Sequence, residues 1–254
     1  MADYNSVEHE LTEQVCGLIP VYNNHQTIER VTEEVRRQLG QVVVVDDGSD
    51  DGTEVIVDRL AAKDADSIHV VHLPENRGKG AAVQAGLKRI EELGFSHALQ
   101  VDADGQHDLS DIQRFVAAMK ENPRAMVLGQ PVFDHSIPLI RKYGRKLTQM
   151  MIALEAGSTS LPDAMCGFRI YPVADICALG KLGSRMNFDP EVMIRAHWAG
   201  VPVITVPTKV RYLRPEEGGV SHFLMVQDNV LHVWTHARLI LQAPFRWMMR
   251  RPKA

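Results

Sequence analysis

The chain has 254 residues, of which 45% are hydrophobic and 24% are charged, and its formal net charge is −4. This length suits one large α/β domain or two small ones with a substantial core. The mild acidity gives no overall basic field, which argues against nucleic acid as the main partner. Three cysteines without paired spacing, Cys16, Cys166 and Cys177, indicate a reducing compartment rather than a disulfide framework.

The beginning of the sequence does not resemble a secretory signal. Residues 1–14 are polar and acidic, and we predict that they form an N-terminal tail. No stretch of the sequence reaches about 18 uncharged apolar residues, so no membrane-spanning helix is expected. We therefore expect a cytoplasmic protein.

Apolar runs and helical periodicity alternate through residues 15–130. Runs that end in turn residues predict strands, and apolar residues three and four positions apart predict helices. The predicted strands cover 15–20, 42–49, 67–73, 96–102 and 125–130, and the predicted helices cover 26–39, 52–62, 79–93 and a stretch from about 109 to 119. Nearly continuous apolar strands separated by helices are typical of a mainly parallel sheet that is covered on both faces.

Beyond residue 130 the pattern becomes less regular. It predicts a helix over 138–155, strands within 163–172 and 202–212, a helix over 189–199 and a final helix over 221–248. No linker rich in Pro, Gly or Ser separates the halves. We therefore predict one domain over 15–224, with a nucleotide-binding half (15–130) and an acceptor half (131–224), followed by a C-terminal segment over 225–254.

The segment LQVDADGQH, residues 99–107, places two aspartates one residue apart at the end of a predicted strand. Ligands of parallel α/β sheets bind beyond the carboxyl ends of the strands. Asp102, Asp104 and the amide oxygen of Gln106 supply the ligand type that Mg²⁺ and Mn²⁺ prefer. The sequence therefore predicts a divalent-cation site here. For His107 two interpretations stay open, a site residue or a structural histidine.

Two further acidic segments differ in their position relative to the strands. Asp64 and Asp66 repeat the Asp-Ala-Asp pattern, but they precede the amino end of a strand, so we interpret them as a solvated loop. Asp46 and Asp47 end the second predicted strand, where carboxylates can accept hydrogen bonds from a base or a ribose. The following residues, 48–51, are also typical of a turn and a helix cap.

The segment ENRGKGAAVQAG, residues 75–86, opens a predicted helix with small residues beside Arg77 and Lys79. The backbone amides of a helix N-terminus favour phosphate, and a neighbouring cation adds to this preference. The spacing matches neither the Walker nor the dinucleotide-binding pattern. On its own the segment is therefore weak evidence for a phosphate site.

Four motifs in this order resemble the family 2 glycosyltransferases of the GT-A fold: IPVYNN (19–24), VVVVDDGSDDGT (42–53), NRGKGAAVQAG (76–86) and QVDADGQH (100–107). Within that family the sequence is most similar to the dolichyl- or polyprenyl-phosphate hexose synthases. DAMCGFRIYP (163–172), FDPEV (188–192) and the segment from VPTKVRY to GGVSHF (206–223) agree with that branch. The resemblance covers about residues 15–224.

The resemblance implies a role for residues in each half of the domain. It implies nucleotide binding by Pro20, Tyr22, Asp46, Asp47, Lys79 and Asp102, a cation held by Asp102, Asp104 and Gln106, catalytic roles for Asp104 and Asp189, and acceptor-phosphate contacts by Arg141, Arg145, Arg169 and His222. The sequence departs from the branch at two positions, where Cys166 replaces a serine and His222 replaces a lysine. For Arg141 and Arg145 a solvated basic helix face is the alternative interpretation.

The implied reaction is the metal-dependent, inverting transfer of a hexose from a UDP- or GDP-sugar. The acceptor is expected to be a lipid or a polyprenyl phosphate, and an ionised phosphate hardly needs a general base. Asp189 and Glu191 are therefore open to two interpretations, a base for a hydroxyl acceptor or the first turn of a helix. The alternatives to this function are a non-catalytic nucleotide- or lipid-binding subunit and a sugar-phosphate nucleotidyltransferase.

Residues 229–254 contain five Lys or Arg, no acid after residue 228, two tryptophans and many long apolar side chains. This composition predicts a helix at a membrane interface, with Arg246, Arg250, Arg251 and Lys253 near anionic headgroups. A packing helix with a basic tail is the alternative. The first interpretation places the protein peripherally on the inner face of the cytoplasmic membrane. The sequence does not indicate an oligomeric state.

Overall fold

The computed structural model describes residues 14–131, 150–157, 161–162, 166–209 and 225–248. In chain order the elements are β1 (Val15–Val21), α1 (Ile28–Leu39), β2 (Val42–Asp46), α2 (Thr53–Lys63), β3 (Ile68–His72), α3 (Lys79–Glu92), β4 (His97–Gln100), α4 (Ile112–Glu121), β5 (Met126–Pro131), β6 (Arg169–Pro172), α5 (Val173–Cys177), α6 (Phe188–Trp198), β7 (Val203–Thr208) and α7 (Met225–Met248). A 3₁₀ turn, Leu109–Asp111, precedes α4. Residues 150–156 are also helical.

The strands of the described residues form one sheet in the order β3-β2-β1-β4-β6-β5-β7. β1, β2, β3 and β4 are mutually parallel, and β5 is parallel to β7. β6 runs antiparallel to both of its neighbours, β4 and β5. The predicted mainly parallel sheet is confirmed, and the reversed β6 is the feature that the apolar pattern did not predict.

The register of the sheet aligns the acidic strand ends. Asp46 of β2 is opposite Val21 of β1, and Gln100 of β4 is opposite Leu18 of the same strand β1. The segments that follow β2 and β4 therefore leave the sheet at one edge. This alignment places Asp47 and Asp102 on the side where ligands of such sheets bind.

Helices cover both faces of the sheet, as the uninterrupted valines of β2 predict. Val42 and Val44 pack with α1, α2 and α4 in one core cluster, whereas Val43 and Val45 pack with α3 and α6 in another. All four side chains are fully buried. Each such side chain contributes about 1.5–3 kcal/mol when it leaves water, so the two layers hold the sheet rigidly beneath the site.

The element boundaries differ from the predicted ones by a few residues. β4 ends at Gln100, so Asp102 lies in the loop rather than in the strand. Asp64 ends α2 and pairs with Arg36 at 3.0 Å, which agrees with its interpretation as a surface loop. Of the helix predicted over 138–155, residues 138–149 lie outside the described residues.

Among the helices of the described residues, none is both long enough and apolar enough to cross a bilayer.

Candidate active site at the carboxyl ends of the strands

Asp102 lies at the centre of the candidate site, in the loop that follows β4. Its Oδ1 is 2.7 Å from Lys79 Nζ, and its Oδ2 is 3.5 Å from His107 Nε2. Gly167 forms the wall behind it, because a Cβ atom at that position would lie 2.0 Å from Asp102 Oδ2. Burial acts to raise the pKa of Asp102, but Lys79 and His107 outweigh it and hold that pKa well below its usual range.

Asp104 follows in the same loop, close enough for the charge of Asp102 to act on its carboxylate. Asp104 Oδ1 accepts a hydrogen bond from the Gln106 amide at 3.0 Å, and Gly105 adopts a φ of 69° between them. The Thr27 hydroxyl donates to the Ala103 carbonyl at 2.6 Å and fastens the loop to the segment before α1. Burial, and then the charge of Asp102, raise the pKa of Asp104.

The donor set fits a hard divalent cation. The carboxylates of Asp102 and Asp104 and the side-chain oxygen of Gln106 are the ligand type that such a cation prefers, and the raised pKa of Asp104 indicates a carboxylate that a further cation would stabilise. Within the described residues, no group of three or more His, Cys, Asp and Glu side chains is arranged to hold a metal. A cation at Asp102 and Asp104 would therefore need further oxygens from ligand or water, as Mg²⁺ and Mn²⁺ commonly do.

Asp189 joins this cluster from the first turn of α6. Its Oδ2 is 3.7 Å from Lys79 Nζ, and its Oδ1 is 3.0 Å from Arg169 Nη2. Arg169 also donates to the carbonyls of Cys166 at 2.6 Å and of Asp189 at 3.3 Å. The site thus contains a line of alternating charges from Arg169 through Asp189 and Lys79 to Asp102.

The burial of Arg169 bears on its predicted contact with an acceptor phosphate. Its side chain is 0% exposed, and its guanidinium points to Asp189 rather than to solvent. A direct phosphate contact would require this pair to open. In the described conformation Arg169 is a positioning residue for Asp189.

Glu191, the second acid of the same helical turn, has a structural environment. It is fully buried and accepts a hydrogen bond from the Gly183 amide at 3.1 Å. It also pairs with Arg195 at 3.1 Å and with Arg238 of α7 at 2.6 Å. These contacts connect α6 to α7 through Glu191. Of the two acids, Asp189 is the one whose carboxylate contacts Lys79.

The carboxylates at the end of β2 accept hydrogen bonds from backbone N–H groups of the protein. Asp47 accepts hydrogen bonds from the amides of Arg77 at 2.8 Å and Gly78 at 2.7 Å. Asp46 accepts one from the Ser49 amide at 3.1 Å and lies 3.1 Å from His72 Nδ1. Burial raises the pKa of Asp47 even though the two amides oppose it. Both residues lie at the predicted edge and shape the loop before α3.

At the start of α3, which the sequence indicated only weakly as a phosphate site, three backbone amides have acceptors within the protein. The Ala81 amide donates to the Ser184 carbonyl at 2.8 Å, and the amides of residues 77 and 78 donate to Asp47. A Cβ atom at Gly80 would lie 2.4 Å from the Gly183 carbonyl oxygen. The lack of a side chain at these glycines therefore allows the loop at 183–185 to pack against the start of α3. The ammonium of Lys79 lies next to the carboxylates of Asp102 and Asp189.

The remaining predicted residues have different positions. Pro20 is buried within β1, and Tyr22 follows that strand, half-buried beside the loops of the same edge. Arg141, Arg145 and His222 lie outside the described residues. Cys166 is buried, which raises the pKa of its thiol to about 11, so the replacement of serine does not create a reactive thiolate.

Sequence reasoning missed Arg185, which lies next to Gly78 and pairs with Asp228 of α7 at 3.1 Å. Nearby, the Asn187 amide donates to the Thr235 hydroxyl at 3.0 Å. The loop that covers the start of α3 is thus attached to α7. The signal in the sequence was weak, because a basic and an amide residue just before FDPEV are ordinary loop residues.

The fold and the cluster of carboxylates define the class. Glucosyl-3-phosphoglycerate synthase from Mycobacterium tuberculosis, solved with Mn²⁺ and uridine-diphosphate-glucose, matches with a TM-score of 0.61 over 96% of this chain and 84% of that one, at 15% identity. Mannosyl-3-phosphoglycerate synthase from Rubrobacter xylanophilus matches with a TM-score of 0.61 over 97% and 80%, at 16% identity. At such identities the likeness concerns the fold, which is that of the GT-A glycosyltransferases.

The family follows from the sequence comparisons. The family model for glycosyl transferase family 2 matches residues 17–176, and the chain belongs to that family. The chain is 30% identical over 245 residues to dolichyl-phosphate beta-glucosyltransferase ALG5C of Trichomonas vaginalis, covering 87% of this chain and 71% of the relative. It is 28% identical over 207 residues to undecaprenyl-phosphate mannosyltransferase of Micrococcus luteus, covering 76% and 82%. The protein is therefore a glycosyltransferase.

Proposed function

We propose that this glycosyltransferase transfers a hexose from a UDP- or GDP-sugar to a polyprenyl phosphate or a related lipid acceptor, with inversion at the anomeric carbon and with Mg²⁺ or Mn²⁺. The observation that carries the proposal is the pair Asp102 and Asp104 beside Lys79 at the carboxyl edge of the sheet. The names of the curated relatives, which include dolichyl- and undecaprenyl-phosphate sugar transferases, support the class of acceptor.

The donor half of the proposal assigns roles to both acidic strand ends. Pro20, Tyr22, Asp46 and Asp47 form the side on which the nucleoside would bind. Asp102, Asp104 and Gln106 would hold the cation, which as a Lewis acid stabilises the charge that develops on the leaving diphosphate. Lys79, which reaches into the cluster from α3, adds a positive charge near the same leaving group.

The surroundings of Asp189 favour an acceptor that is already ionised. A general base must reach the proton of the acceptor hydroxyl, whereas the two carboxylate oxygens of Asp189 face Lys79 at 3.7 Å and Arg169 at 3.0 Å. A phosphate nucleophile needs no such base, so Asp189 is assigned to positioning Lys79.

The described surface of α7 supports a membrane-associated acceptor. Val230, Trp234, Leu241 and Phe245 are large apolar residues of this helix that are more than 60% exposed. Their spacing of four and seven residues places them along one stripe of the helix. Arg246, next to Phe245, is also exposed, so the helix surface combines apolar and basic side chains, as interfacial helices do.

The donor site is tested by titration calorimetry with UDP and with GDP. We expect one nucleotide to bind in the micromolar range with Mn²⁺ and to lose that affinity with a chelator or in Asp104→Asn. Asp66→Asn, in the Asp-Ala-Asp segment at residues 64–66, is the matched control and should bind the nucleotide as the wild type does. Absence of nucleotide binding under every condition would contradict the proposed function.

The acceptor is tested by following sugar transfer from the nucleotide that binds, in vesicles with and without polyprenyl phosphate. We expect product in the lipid phase when the vesicles contain the phosphate. Trp234→Ser with Leu241→Ser should reduce co-sedimentation with anionic vesicles while calorimetric binding of the nucleotide stays unchanged. Donor hydrolysis without any lipid product would argue against this class of acceptor.

A further inference from the structure

The carboxylate cluster of the candidate site holds nearly balanced charge without a metal. Three carboxylates belong to it, those of Asp102, Asp104 and Asp189, and two cations compensate them, Lys79 and Arg169. The formal charges of these five groups sum to one net negative charge; His107, 3.5 Å from Asp102 Oδ2, is not counted in this sum. A buried cluster tolerates such a small imbalance far better than a larger one.

The two cations differ in their freedom to move. Arg169 is 0% exposed, and it is tied to the carbonyls of Cys166 and Asp189 as well as to the Asp189 carboxylate. The Lys79 side chain is 16% exposed, and its ammonium contacts carboxylates at the end of a flexible four-carbon stem. Its backbone is fixed, because Gly78 and Gly80 pack against the loop at 183–185. Lys79 can therefore redirect its charge without any change in the fold.

The position of the Lys79 ammonium disfavours the binding of a divalent metal ion in the absence of a nucleotide. Lys79 Nζ lies 2.7 Å from Asp102 Oδ1, which is one of the oxygens that a metal at Asp102 and Asp104 would use. A divalent ion there would change the net charge of the cluster from one negative to one positive. It would also lie within a few ångströms of the ammonium, where repulsion in a partly buried site is strong.

A diphosphate that arrives with the cation removes this conflict. The diphosphate of a nucleotide sugar carries two negative charges, which return the sum to one net negative charge, and its oxygens offer the ammonium a new partner. In the structure described, the Lys79 ammonium already has two anionic partners, Asp102 at 2.7 Å and Asp189 at 3.7 Å, and a diphosphate would offer a third of the same kind.

We propose that Lys79 is a resident counter-ion of Asp102 that weakens metal binding by the free enzyme and moves to the diphosphate when donor and cation bind together. This proposal rests on the proposed function, because it assumes that a nucleotide diphosphate binds at this site. It makes Lys79 the residue that couples the two binding events, so that neither the cation nor the nucleotide binds well alone.

The test is the affinity for Mn²⁺ in the absence of nucleotide, measured from the free Mn²⁺ signal in electron paramagnetic resonance. We expect Lys79→Met to bind Mn²⁺ about tenfold more tightly than the wild type, because the competing charge is gone. Lys79→Arg keeps the charge and should stay close to the wild type. Lys88→Met, on the exposed side of the same helix, is the matched control and should not change the affinity.

The second measurement repeats the titration with saturating UDP or GDP. We expect Lys79→Met to lose most of the increase in Mn²⁺ affinity that the nucleotide produces in the wild type, as the loss of a coupling residue requires. If Lys79→Met, folded by circular dichroism, binds free Mn²⁺ no more tightly than the wild type, the proposal is wrong. That result leaves the proposed function intact wherever the wild type still binds the nucleotide with Mn²⁺, so the two failures are distinguishable.

Discussion

The acidic residues that follow β2 and β4 carry the same carboxylate groups, but the two pairs differ in their exposure and in their hydrogen-bond partners. After β2, Asp46 and Asp47 are each 3% exposed, and backbone amides occupy both oxygens of Asp47. After β4, the Asp102 side chain is 26% exposed and pairs with the flexible side chain of Lys79, and Asp104 accepts one backbone amide. We call the first the closed end, because backbone amides satisfy both oxygens of Asp47, and the second the open end, because Asp102 is more exposed and is paired with side chains.

The comparison shows that carboxylates at the same edge of a sheet can differ in how far the chain itself supplies their hydrogen-bond partners. At the end of β2 the backbone amides of residues 77 and 78 donate to both oxygens of Asp47, which fixes this carboxylate to the loop before α3. At the end of β4, Gly167 leaves room beside Asp102, whose partners include the side chains of Lys79 and His107.

The largest effect is expected from Asp102→Asn at the open end. Loss of this carboxylate removes a cation ligand and the partner of Lys79, and the transfer rate should fall about a thousandfold. The measurement is the steady-state rate of lipid glycosylation, and the matched control is Asp66→Asn in the Asp-Ala-Asp segment at residues 64–66. A rate within a few-fold of the wild type would show that the open end is not the cation site.

A smaller loss of activity is expected from Gly167→Ala, which tests the room beside Asp102. The new methyl group would lie 2.0 Å from Asp102 Oδ2 and must push the carboxylate aside. A displacement of this kind should lower the transfer rate about tenfold to a hundredfold. The Mn²⁺ affinity in the presence of nucleotide should fall with it. An unchanged Mn²⁺ affinity would indicate that the carboxylate has space elsewhere.

At the closed end, Asp47→Ala should lower the stability of the fold in addition to weakening the proposed nucleoside binding. It leaves the amides of Arg77 and Gly78 without their acceptor, and the free energy of unfolding should drop by about 1–3 kcal/mol. Because burial raises the pKa of Asp47, removal of the charge recovers part of that loss. Urea denaturation measures the change. A stability equal to that of the wild type would contradict the structural role of this pair.

The smallest effect, and a pH-dependent one, is expected from His72→Gln beside Asp46. Burial acts to lower the pKa of His72, but Asp58 and Asp46 outweigh it and raise that pKa above 6.5. The protonated histidine therefore stabilises the fold below about pH 6.5, while both acids are ionised, and the contribution is lost as the pH rises through the raised pKa. The side chain is 41% exposed, so the difference should stay below about 1 kcal/mol.

The control for this prediction is His69→Gln on the same strand. Burial, followed by the charge of Arg89, lowers the pKa of His69, so its protonation disfavours the fold. The two variants should therefore differ from the wild type in opposite directions at low pH when thermal unfolding is followed from about pH 5.5 to about pH 8. A change of the same sign in both variants would contradict the assignment of His72 to the acidic pair.

The sequence by itself determined the features that depend on neighbouring residues. The apolar runs that end in turn residues predicted β1 to β5, and the spacing of apolar residues predicted the helices between them, because periodicity and turn residues act locally. The same local signals placed Asp46, Asp47, Asp102 and Asp104 at strand ends. The match to the family then identified the protein as a glycosyltransferase.

The tertiary structure decided which residues meet across the chain. The reversed β6 buries Arg169 against Asp189, α7 captures Glu191, and the loop at 183–185 occupies an amide that a phosphate was predicted to use. Each of these pairings joins residues that are distant in sequence or lie on different elements. No local pattern encodes them, because they depend on how two layers of helices pack on one sheet.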